Sequence, residues 1–130
     1  MSNWIMAVMT SILLLTGLSQ EVSPCRVVTA ITVEWEESGV HRRQHYEDPA
    51  DMDRLLHYLR ALRPFQLYDE PENIPQRIYH ITVTCSDGSQ VRYAQAGLQY
   101  LKKEDGHWEK LNPERAIRLP LLLAAIPGTS

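Results

Sequence analysis

From residue 78 to residue 111 the chain alternates apolar and polar positions and is interrupted twice by Asp-Gly. Tyr79, Ile81, Val83 and Cys85 fall in one phase while His80, Thr82 and Thr84 fall in the other, the period of two that marks a strand buried on one face. Asp87-Gly88 and Asp105-Gly106 are expected to supply the positive φ angles of tight hairpins. The stretch therefore predicts four antiparallel strands.

Upstream, residues 25–47 predict a further hairpin. Val27, Ile31, Val33 and Trp35 share a phase with Cys25 and Thr29, so that face is expected to look into the core. Residues 36–39 form the expected turn, and the polar character of residues 40–47 suits an edge strand.

The first helix announces itself by its start. Asp48 is a good N-cap, Pro49 suits the first helical position, and Asp51 and Asp53 set negative charge where the helix dipole favours it. Met52, Leu55, Leu56, Leu59 and Leu62 then recur at helical spacing, flanked by Arg54, Arg60 and Arg63, and Arg63-Pro64 ends the helix. Toward the C-terminus, Asn112-Pro113-Glu114 predicts a turn or short helix. A second helix is expected to start at Pro120 and stop before Pro127-Gly128. The sum is an α+β fold: an antiparallel sheet of five or six strands with two helices on one face, in the order ββαββββα.

The N-terminal stretch, residues 4–18, is uncharged and apolar but only about 15 residues long, short of the roughly 20 that a spanning helix needs. It reads as the apolar region of an export signal covering residues 1–19, with Gly17 and Ser19 as small residues before a cut at Gln20, although residues 1–3 carry no basic residue. Leu15-Thr16-Gly17-Leu18-Ser19 resembles a lipoprotein box in which Leu18 holds the place of the lipidated cysteine, so it offers no thiol to acylate. Residues 20–24 form a connector, residues 25–127 a single domain, and residues 128–130 a tail expected to fray.

Charge narrows the partners. A net charge of -3, with acidic and basic residues interspersed along the chain, offers no concentrated field in the sequence for a nucleic acid or an anionic membrane. The two cysteines, Cys25 and Cys85, form one bridge if their strands are neighbours and the protein is exported; otherwise they are two buried thiols.

Chemistry is sparse. His41 and His45 lie about 13 Å apart on a strand, too far to share a metal ion, and no phosphate-binding glycine loop or nucleophile elbow occurs. No cofactor is expected. A small hydrolytic enzyme would require a cleft holding His80 or His107 near carboxylates. Two candidate binding regions stand out. One is the proline-rich connector of residues 65–77, with Phe65, Leu67, Tyr68 and Ile74 among acidic residues. The other is an aromatic surface formed by Trp35, Tyr93, Tyr100 and Trp108, whose alternative role is cross-strand packing in the core.

Three segments taken together, DPADMDRLLHYLRAL (48–62), ITVTCSDGSQVRY (81–93) and YLKKEDGHWEKL (100–111), resemble the small secreted or lipoprotein domains of Gram-positive bacteria grouped as YhfM-like or as domains of unknown function. The resemblance spans most of residues 27–126 and rests on turns and core positions. It implies an exported cell-envelope domain and carries over no catalytic or binding residues. The expected function is a non-catalytic module that binds a protein, peptide or small ligand at the cell surface. An inhibitor of a secreted enzyme, acting through the 65–77 loop, is the alternative.

Overall fold

A computed structural model describes residues 25–64, 66–68, 77–104 and 106–129. The export signal, the connector of residues 20–24, and Phe65 and Ile74 of the candidate loop lie outside the described residues.

The elements in chain order are β1 (Val28–Glu37), β2 (Val40–Tyr46), α1 (Pro49–Leu62), β3 (Gln66–Tyr68), β4 (Ile78–Cys85), β5 (Gln90–Ala96), β6 (Tyr100–Lys103), β7 (Trp108–Lys110), α2 (Pro113–Ala116) and α3 (Arg118–Ala125). The expected α+β order ββαββββα is present, and the strands form one antiparallel sheet ordered β2-β1-β4-β5-β6-β7-β3. One strand goes beyond the expectation. Residues 66–68, inside what the sequence suggests is a loop, pair with β7 as a three-residue edge.

This order explains how one face becomes the core. β2 and β3 are opposite edges of the sheet, so the chain that holds α1 must pass from one edge to the other. The stripe of α1 is buried through Met52, Leu55, Tyr58, Leu59 and Leu62, with Leu56 partly covered beside it. Facing it are Ile31, Val33, Tyr79, Ile81, Val83 and Tyr93 from the sheet, together with Leu119 and Leu123 from α3. Full burial of each aliphatic side chain contributes about 1.5–3 kcal/mol, so this packing, more than helix propensity, holds α1 in place.

The helix ends follow local chemistry. The Asp48 carboxylate accepts from the Asp51 amide at 3.2 Å, and Arg63 closes α1 in the left-handed region at φ 46°. Asn112 caps α2 by accepting from the Glu114 amide at 2.9 Å. α3 begins at Arg118 rather than at Pro120. Pro120 is tolerated there because the first-turn amides of a helix have no intrahelical acceptor in any case.

Four local expectations need correction. A register shift between Val28 and Ala30 reverses the phase at the start of β1, so Thr29 is exposed and Val27 is 55 % exposed instead of facing the core. The first hairpin turns at Ser38-Gly39, both at positive φ, the geometry that matches strand twist in a two-residue loop. In the β4–β5 turn Gly88 alone takes positive φ, while Asp87 accepts from both the amide and the hydroxyl of Ser89; Asp105 of the second expected turn lies outside the described residues. The tail is tied down as far as Thr129, which exchanges backbone hydrogen bonds with His45 at the β2 edge (2.7 and 3.0 Å).

Candidate functional site

The sheet holds Cys25 and Cys85 together. β1 runs antiparallel to β4 with Val28 opposite Cys85, which brings the residues just before β1 against the end of β4. Cys25 and Cys85 are disulfide-bonded, with Cα atoms 6.0 Å apart and a sequence separation of 60. Cys25 lies ahead of the strand, and the shift after Val28 carries it to its partner; a common strand phase is not what pairs them.

The four candidate aromatics divide into two pairs. Trp35 and Tyr93 point into the core, where Trp35 packs on Tyr79 with ring centroids 5.5 Å apart. Tyr100 and Trp108 lie on the other face of the sheet, half-buried and edge to face at 6.4 Å, with Lys102 Nζ 5.6 Å from the Trp108 ring. Leu101 points inward, and alternation along β6 therefore sends Tyr100 and Lys102 outward.

That outer face is polar across β1, β2 and β4. Glu34 is 3.4 Å from His41 and 3.8 Å from Arg43, and its register partner in β4 is the exposed His80. His45 is hydrogen-bonded to Thr32 at 2.8 Å and paired with Glu47 at 3.0 Å. His107 is exposed beside the β6–β7 turn. His80 thus stands near a carboxylate on an open sheet surface rather than in a cleft. Among the described residues, no group of three His, Cys, Asp or Glu side chains gathers closely enough to hold a metal ion.

The helical layer adds a feature that the linear pattern hides. Where the C-terminal end of α1 meets α2 and the start of α3, a hollow of about 430 Å³ is lined by His57, Tyr58, Ala61, Arg60, Arg63, Arg115 and Arg118. Arg115 donates to the Ala61 carbonyl at 3.4 Å and so helps to finish α1. All four arginines are exposed, and among the described residues no acidic side chain lines the hollow. Charges that are interspersed in sequence are therefore concentrated in space. The available signal was the two i,i+3 arginine pairs, Arg60/Arg63 and Arg115/Arg118, but nothing local shows that these pairs meet.

Of the candidate loop, the backbone of residues 66–68 belongs to β3. No helix among the described residues is long and apolar enough to cross a membrane. Comparison with protein-family models, curated proteins and solved structures finds no match for this chain.

Proposed function

We propose that this chain is an exported, non-catalytic binding domain of the bacterial cell envelope. The observation that carries this reading is the Cys25–Cys85 disulfide, which closes a long loop of the fold and is the kind of bond that oxidising compartments outside the cytoplasm favour. The apolar stretch of residues 4–18 and the resemblance to small secreted and lipoprotein domains support the same location. Binding, rather than catalysis, fits side chains presented on open surfaces: the Tyr100–Trp108 pair with Lys102 on the sheet, and the hollow beside α1.

The test is expression of the whole chain in a bacterial host, followed by fractionation, N-terminal sequencing and intact mass with and without reductant. Recovery outside the cytoplasm, a start near Gln20 and a gain of two hydrogens on reduction are expected. A chain retained in the cytoplasm with Met1 in place and two free thiols overturns the reading.

A further inference from the structure

We infer that the hollow between α1, α2 and α3 is a binding site for a phosphate-bearing anion. Arg60 and Arg63 come from the last turn and C-cap of α1, Arg115 from α2 and Arg118 from the first residue of α3. The inference rests on the binding reading above but not on export.

Three observations carry it. The first is sign. The whole chain has a net charge of -3, with 16 acidic residues, yet this concavity is lined by four guanidinium groups and, among the described residues, no carboxylate. Gathering like charges raises the energy of the empty protein, and a bound anion relieves that repulsion.

The second is placement. The dipole of α1 favours cations at its C-terminal end, which accounts for Arg60 and Arg63. It does not account for Arg118, which opens α3 at the electropositive end of a helix that has no acidic residue in its first turn and no side-chain cap. Nor is any of Arg60, Arg63 and Arg118 in an ion pair among the described residues.

The third is shape and chemistry. A hollow of about 430 Å³ lies in the range of small-ligand sites, about 300–1,000 Å³. Planar guanidinium forks match the oxygens of phosphate in two-point hydrogen bonds, and several of them around one space suit an anion with more than one phosphate group. The Tyr58 hydroxyl is already engaged with Gln95 and the Ala116 carbonyl, so the recognition falls to the arginines.

The experiment titrates the purified, disulfide-bonded protein with sodium tripolyphosphate by calorimetry at low ionic strength. A second arm measures sedimentation with phosphatidylglycerol vesicles against phosphatidylcholine vesicles, separating a soluble phosphate from a lipid headgroup. Saturable binding in either arm is expected, weakening as salt is added. Arg118→Glu is expected to lower that affinity by about tenfold or more. It should leave the thermal midpoint unchanged or raised, because an acidic residue suits the start of α3. Arg92→Glu, on the opposite face of the sheet, is the control and should bind as the parent does. Absence of saturable binding in both arms overturns the inference, as does binding that Arg118→Glu leaves intact. Export fails on mass and location, whereas this site fails on titration, so the two failures are distinguishable.

Discussion

The hydroxyl of Tyr58 on α1 donates to the side-chain carbonyl of Gln95 on β5, and both groups are shut away from water. Gln95 in turn donates to the Gly97 carbonyl at 3.0 Å and the Ala116 carbonyl at 3.4 Å, and Tyr58 also reaches Ala116 at 3.2 Å. This small network joins α1, β5 and α2 at the floor beneath the arginine hollow. Gln95 faces the core side of a strand, where an unpaired amide would be costly.

Removal of the Tyr58 hydroxyl should therefore destabilise more than a surface change does. Tyr58→Phe withdraws a donor from two buried acceptors, Gln95 and the Ala116 carbonyl, and should cost about 1–3 kcal/mol in urea unfolding. The double variant Tyr58→Phe/Gln95→Leu should cost less than the sum of the singles, because removing both partners spares the orphaned amide. Strict additivity would mean that the two groups do not interact.

High pH attacks the same region and its neighbour. Burial, aided by the nearby Asp51 charge, pushes the Tyr46 phenol up to about 12, and burial also pushes Tyr58 well above its ordinary value. The unfolded chain releases these protons near pH 10 while the folded chain still holds them. Stability is thus fully present below about pH 10 and falls as pH rises from there toward about 12. Urea midpoints across this window should decline, and phenolate absorbance should show two tyrosines ionising only as the fold is lost. A flat midpoint would contradict the buried placement.

Reduction tests the covalent tie. With Cys25 and Cys85 separated by 60 positions, loop-closure entropy predicts a loss of about 4 kcal/mol when the bridge is opened. Denaturation of Cys25→Ser/Cys85→Ala should match that of the reduced parent. A loss well under 1 kcal/mol would show that the open chain already keeps its ends together.

Gly128 locks the tail onto β2. It sits at φ +63°, and a Cβ there would meet the His45 carbonyl oxygen and the Tyr46 ring, each at 2.8 Å. Gly128→Ala should cost about 1–2 kcal/mol for the backbone alone. The amides of His45 and Thr129, which bond each other's carbonyls, should lose hydrogen-exchange protection. The Tyr46 hydroxyl, which donates to the Ile126 carbonyl at 2.5 Å, should keep residue 126 in place, confining the loss to the tail.

Local pattern decided much of this molecule. Alternation in residues 78–111 specifies four strands because each strand must send every second side chain to the core, and Asp48-Pro49 followed by the leucine stripe specifies α1 because its cap and its apolar face are both written within 15 residues. What local pattern does not encode is how separate elements meet. Trp35 and Tyr93 carry the same signature as Tyr100 and Trp108, yet fall on opposite faces, since each strand's phase relative to its neighbours comes from register and, in β1, from one bulge. Residues 66–68 become a strand only because β7 offers an unpaired edge, and Thr129 is ordered only because β2 offers another. The arginine hollow belongs to the same class. Its two arginine pairs lie more than 50 residues apart in sequence and are neighbours because α1 and the C-terminal helices must cover a single apolar face, a constraint that exists only once the sheet has formed.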